Sequence, residues 1–365
     1  MSKRIWGVIY FLCVAGFLVL VANFYRPGYG FTGLIEFGDQ FDTTNIAGLH
    51  CLVEPGSAGY DGQFYAKLSL DPLLVNPAKA STGIDAPYYR ARRIFLSWSA
   101  WALGLGHPAW IVQVYALQNV ACWLALAWLL TRWFPPLDFN NFARWAGILF
   151  SFGLMHSVRA SLTDGPALLL VATALVLYEK KKETLASVVL AVAGLMRETS
   201  LLGFAALADP AKRTPRDAAR LVLRSVLVAA PLACWIIYLQ LRLGNSHNAA
   251  GVGNFGVPFV AWAQKWASVL PLLGKVHWGW RVVAIQLALT VQAFYFFLHP
   301  QPSKPAWRIG AVFAALMFCL GSAVWGGIPG ATGRAVLPML LAFNLVVPRG
   351  SRWWMVLLVA GNLSV

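Results

Sequence analysis

Nine apolar runs alternate with polar intervals along the chain, at residues 5–25, 94–131, 143–178, 185–208, 219–242, 280–298, 307–326, 334–347 and 353–365. A helix of about 20 apolar residues crosses a bilayer. Three runs are broken by polar residues. Gly106-His107-Pro108 interrupts the second, so only residues 109–131 need to span, and the part before them reads as a re-entrant or interfacial helix. The third is interrupted by "HSVRASLTDGP" (156–166) and the fourth by Met196-Arg197-Glu198-Thr199.

Lys and Arg in short loops mark the cytoplasmic side. That rule puts Lys3-Arg4, "RWFPPLDFNNFAR" (132–144), "EKKKE" (179–183), "DPAKRTPRDAARLVLR" (209–224), "HPQPSKPAWR" and "PRGSRWW" inside. The pattern predicts an all-α polytopic membrane protein, a single transmembrane domain over 1–365 with about ten passes (nine to twelve), several short or broken. Residues 26–93 form a first outer loop carrying interfacial helices, and 244–279 form a second. The first run is expected to remain as an anchor, because no small-x-small cleavage site follows it.

This threading brings Asp61, Arg92, Arg93, Arg159, Asp164, Arg197, Glu198, His247 and Arg334 to one level at the outer face. Ionisable residues at membrane depth are costly, so a set of them at one level predicts a functional site. Short helices that stop in mid-membrane fit the same picture, since irregular backbone there must line a cavity.

Composition narrows the class further. Of 365 residues, 59% are hydrophobic and 12% charged, whereas soluble domains carry about 25% charged residues. Seventeen Trp and eleven Tyr suit broad membrane–water interfaces. The net charge of +15 is scattered over the ends of apolar runs, and without a basic stripe on a soluble domain it excludes nucleic acid as the partner. Membrane lipids are the expected surroundings. The five cysteines show no metal-ligand spacing, and Cys51 has no obvious disulfide partner.

The chemistry-bearing segments lie in the outer breaks. In "GYDGQFYAKLSLDP" (59–72), two glycines flank Tyr60-Asp61, and the following residues suit a short amphipathic helix lying in the interface. Asp61 would then sit at its N-terminus, held by backbone N–H groups, as a cap, a catalytic base or both. Asp39 and Asp42 in "EFGDQFDTTN" form a second acidic pair, suited to sharing a proton or a cation, or merely to capping a loop. Arg90, Arg92 and Arg93 in "YYRARRIFLSW" either snorkel to headgroups or clamp a phosphate. The arginines at three other outer breaks, Arg159, Arg197 and Arg334, favour the clamp and an anionic ligand. Glu198 reads as the local partner of Arg197, and Asp164 before Gly165-Pro166 as a helix cap. His247 is a lone outer-loop histidine and a secondary candidate. No nucleotide-binding loop, nucleophile elbow or zinc-hydrolase motif occurs.

The first segment resembles the "W-D-G-x-W-Y-x-x-I-A" element of GT-C superfamily integral-membrane glycosyltransferases, with Tyr60 in the Trp place, Phe64-Tyr65 as the aromatic pair and Leu68 for Ile. "YYRARRIFLSWSAWALGLG", "SLTDGPALLLVATAL", "AGLMRETSLL" and "GRAVLPMLLAFNL" look similar to bacterial members. The resemblance implies transfer of a sugar from a polyprenyl-phosphate donor to a lipid or glycan acceptor at the periplasmic face of an inner membrane. It implies a catalytic aspartate in the first outer loop, carried onto Asp61, with Asp39 as the rival. Tyr60, Gln63, Tyr65 and the arginines are then expected to bind substrate. A compact D-x-D is absent, so a divalent cation stays an open option and no cofactor is assigned. Two other readings compete: a transporter or flippase of an anionic lipid-linked substrate, and a non-catalytic subunit of envelope polysaccharide assembly.

Overall fold

The computed structural model describes residues 3–212, 214–244, 251–327 and 331–365. Helix α1 (Lys3–Ala22) leads into a looped segment in which two short parallel strands, β1 (Phe37–Gly38) and β2 (Val53–Glu54), pair. Then come α2 (Gly62–Leu70), α3 (Pro77–Gly83), α4 (Pro87–Ala91), α5 (Phe95–Leu103) and α6 (Pro108–Leu130). Three of these begin on proline, whose fixed φ suits a first helical position where no N–H partner is needed.

The chain continues through α7 (Phe139–Leu149), α8 (Phe152–Arg159), α9 (Asp164–Glu179) and α10 (Glu183–Met196) to a 3₁₀ helix over Glu198–Leu207. Helix α11 (Pro215–Leu243) starts from a capping box made by Thr214 and Asp217. After it lie α12 (Val260–Val269), α13 (Gly279–Leu298), α14 (Pro305–Cys319), α15 (Ser322–Trp325), α16 (Thr332–Ala335), α17 (Leu337–Val346) and α18 (Arg352–Gly361). The breaks fall where polar residues interrupt the apolar runs: at His107, between α8 and α9, and at Arg197.

The protein is an all-α membrane protein. Among the described residues, four helices are long and apolar enough to cross a bilayer: α1, α6, α11 and α13, with mean hydropathies of 2.5, 1.4, 2.0 and 1.6. Shorter apolar helices, α10, α14, α17 and α18 among them, stand beside these. Exposed Val222, Leu223, Ile237 and Leu241 along α11 would be untenable in water and suit lipid contact.

Among the described residues, three cores knit the helices together. Helix α1 buries a stripe of Trp6, Tyr10, Phe17 and Val21, spaced by four, seven and four residues as one helical face requires. Phe17 stacks on Trp123 of α6 with ring centres 3.7 Å apart, and the Trp123 indole donates to the Leu149 carbonyl at 2.9 Å. A second core joins α2, α5, α6 and α11, and a third joins α9, α10, α13, α14 and α17. Arg308 of α14 donates to the Ala205 carbonyl at 2.9 Å and to that of Ala206, so the open end of the 3₁₀ helix is satisfied inside the protein.

One element differs from the sequence reading. Helix α2 shows no exposed amphipathic face: Gly62 through Ser69 are all buried. Its cation, Lys67, is tolerated there because its ammonium donates to the carbonyls of Asp42 (2.8 Å) and Gly83 (3.1 Å).

Among the described residues, the Phe17–Trp123 stack is one of two stacked pairs that dock α1, the other being Tyr10 on Trp145 at 4.4 Å. Trp123→Ala is expected to cost about 3–5 kcal/mol, measured as a lowered unfolding temperature in detergent. An unchanged temperature would mean that α1 docks by other contacts.

Candidate active site

Asp61 is positioned by the loop before α2. Gly59 turns the chain at φ +64°, and the Tyr60 N–H donates to the Glu36 carbonyl at 2.9 Å. Gln63 braces the turn, accepting from the Gly38 N–H (3.3 Å) and donating to the Ala58 carbonyl (2.7 Å). At Gly62 a Cβ would lie 2.1 Å from the Ala160 carbonyl oxygen, so only glycine lets α2 start against the end of α8. The Asp61 side chain makes no cap hydrogen bond. Its carboxylate is held instead by Arg90, at 2.9 Å.

Asp61 opens onto a cavity of about 730 Å3, whose wall includes Arg90, Arg92, Arg93, Arg197 and Arg334. Four of these five guanidiniums have carboxylate partners. Arg90 grips Asp85 through Nε (2.9 Å) and Nη2 (2.7 Å), sharing Nη2 with Asp61, and lies 4.9 Å over the Phe64 ring. Arg93 pairs with Glu198 at 2.9 Å and donates to the hydroxyls of Tyr65 and Tyr89, both at 3.0 Å. Behind the wall, the buried carboxylate of Asp164 takes both Arg197 and, at 3.4 Å, Arg334. Arg334 also donates to the Tyr60 hydroxyl at 3.0 Å.

Arg92 is the exception. It has no carboxylate partner among the described residues; its guanidinium lies 4.8 Å over the Tyr88 ring, and its buried Nε has no hydrogen-bond partner. The Nε of Arg334 is likewise buried without a hydrogen-bond partner among the described residues. Among the described residues, five guanidiniums against the four carboxylates of Asp61, Asp85, Asp164 and Glu198 leave one positive charge in excess around the cavity.

Several expectations are corrected. Glu198 does not neutralise Arg197. The Arg197 backbone is extended (φ −157°, ψ 125°), so the two neighbours turn to different partners, Asp164 and Arg93. Asp164 is a buried ion-pair hub rather than a simple cap. Arg159 stands apart from the cavity wall, paired with Glu36 at 2.9 Å and lying 4.6 Å over Phe24. Asp39 is exposed and accepts from the Gly56 N–H at 2.9 Å, outside the cavity. Gln63 and Tyr65 are buried supports and do not line it. His247 lies outside the described residues. Asp85, two positions before Pro87, belongs to the site through its hold on Arg90, and its signal in the sequence is an acid flanking a proline-started helix beside an arginine cluster. Among the described residues, no group of three or more His, Cys, Asp or Glu side chains is arranged to hold a metal ion.

No protein family matches the chain, and no characterised protein or solved structure matches it. The geometry therefore stands alone. It offers an ionised carboxylate and a guanidinium without a carboxylate partner in one open cavity, a pairing that can accept a proton and bind an anion.

Burial raises the Asp61 carboxyl, but Arg90, by charge and hydrogen bond, outweighs it and holds the group below the usual carboxylate value, with help from Arg334 and Arg93. The pair therefore stabilises the fold above about pH 4 and is lost as pH falls through the lowered value. Arg90→Gln leaves burial less opposed, and the Asp61 pKa is expected to rise. Carbodiimide labelling, which needs the protonated acid, would report this: Asp61 should be inert at about pH 5 in the parent and reactive in the variant. Equal labelling would remove Arg90 from its role. Asp164→Ala strips two buried guanidiniums of their shared partner and is expected to cost about 3–5 kcal/mol in thermal unfolding.

Proposed function

We propose that the protein is a membrane glycosyltransferase that moves a sugar from a polyprenyl-phosphate donor to a hydroxyl of a lipid or glycan acceptor. The observation that carries this reading is that the Asp61 carboxylate and the Arg92 guanidinium, which lacks a carboxylate partner, share one open cavity. A lipid-borne donor suits a site built among apolar helices.

In this reading the acceptor hydroxyl attacks the anomeric carbon as the bond from that carbon to the phosphate oxygen breaks. Asp61 takes the hydroxyl proton as general base. Arg92, with Arg334, meets the negative charge that collects on the departing phosphate. Base and phosphate site on opposite sides of the sugar give inversion. Arg90 keeps Asp61 ionised at neutral pH, and Arg93 and Arg197 fix the wall. The positive-inside pattern supports about ten passes, a cytoplasmic N-terminus and a cavity at the outer face; the resemblance to bacterial GT-C enzymes makes that the periplasmic face of an inner membrane.

The test incubates purified protein with a panel of radiolabelled polyprenyl-phosphate sugars and counts transfer. Asp61→Asn is expected to lower the rate about 10²–10⁴-fold, Asp39→Asn to leave it unchanged, and Arg92→Gln to weaken donor binding about tenfold or more. Full transfer by a folded Asp61→Asn protein would sink the assignment. Tight donor binding with no transfer by the parent would favour a transporter.

A further inference from the structure

A second site lies at the other end of the α9–α10 hairpin. The Lys180-Lys181-Lys182 turn and the first residues of α10 meet α11 in an open notch of about 330 Å3. Helix α9 has sixteen residues, about 24 Å at 1.5 Å per residue. The notch is thus nearly one hydrocarbon thickness, about 30 Å, from Asp164 and the cavity.

Its wall is made by Lys181, Lys182, Glu183, Thr184, Leu185 and Arg224. The single carboxylate, Glu183, is committed twice, to Lys212 at 2.5 Å and to Arg224. Lys181 and Lys182 are exposed and have no carboxylate partner among the described residues. Two features tie the notch to a bilayer surface. Leu185 and Val188 on α10 and Val222, Leu223 and Val226 on α11 are exposed and apolar beside it. At the same end Trp133 donates to Glu179 at 3.0 Å and Arg132 pairs with that carboxylate at 3.6 Å, the residue types that collect at headgroup level.

We propose that this notch binds the phosphate of an anionic phospholipid headgroup, with the acyl chains lying along the apolar flanks of α10 and α11. Lys181 and Lys182 meet the phosphate, and the Glu183–Arg224 pair holds the two helices apart at the right width. A basic pocket between apolar helices is the form such headgroup sites take. The site is independent of the transfer reading.

The experiment places the full chain in nanodiscs of phosphatidylcholine, alone or with phosphatidylglycerol or cardiolipin, and measures retained lipid by native mass spectrometry. The parent is expected to retain the anionic lipids over phosphatidylcholine. Replacing both lysines, Lys181→Ala with Lys182→Ala, is expected to weaken that retention about 25-fold, while Lys181→Arg with Lys182→Arg keeps it. Both side chains are exposed, so the variants should fold, which the unfolding temperature checks. No preference in the parent, or undiminished retention in the alanine variant, overturns the proposal. Displacement of the lipid by inorganic phosphate at equal concentration overturns the assignment to a lipid headgroup.

Discussion

Guanidinium groups inside an apolar bundle are tolerable only when their charge is met, and the Asp164 carboxylate meets two of them. Its side chain is 2% exposed and takes both Arg197 and Arg334. Those three residues stand at three separate interruptions of the apolar sequence: the start of α9, the end of α10 and the short helix α16. A buried charge without a partner costs several kcal/mol, so none of the three segments can shift without exposing the other two to that cost. The inner wall of the cavity is thereby fixed by electrostatics, while the outer wall, with Arg90 and Arg93, hangs on Asp85 and Glu198.

Much of the layout was legible in the sequence because polar residues inside apolar runs have few places to go. The breaks at His107, between Arg159 and Asp164, and at Arg197 all appear as helix ends. Gathering Asp61, Arg92, Arg93, Arg197, Glu198 and Arg334 in one cavity wall follows from the same reasoning. What the sequence concealed was pairing, because pairing depends on backbone direction. Arg197 and Glu198 are adjacent in the chain, yet an extended residue between a helix and a 3₁₀ helix sends their side chains to different neighbours. Arg159 looked equivalent to Arg197 by composition, but its position at the end of α8 gives it Glu36 as a partner. Helix α2 reads as amphipathic in sequence, and only the fold reveals the two carbonyls that accept hydrogen bonds from its buried Lys67.

Asp61 and Arg90 illustrate how a cavity can keep a carboxylate charged against burial. The guanidinium is itself anchored on Asp85 by two hydrogen bonds and so is not spent on Asp61 alone. Arg92, stacked on Tyr88 and lacking a carboxylate, supplies the charge that a ligand would answer. The guanidinium paired with the carboxylate and the guanidinium without a carboxylate partner among the described residues are in this way separate arginines, Arg90 and Arg92.

The 3₁₀ helix over Glu198–Leu207 has a consequence for counting. Its ten residues, at about 2.0 Å each, cover about 20 Å, while the fourteen of α10 cover about 21 Å at the α-helical rise. The two limbs are therefore equal in length though unequal in residues, and the chain returns to the level from which it set out, where Lys212 reaches Glu183. Tighter winding stretches a segment that would otherwise fall short, so a length rule based on residues per crossing undercounts the reach of this chain at the place where its charged wall begins.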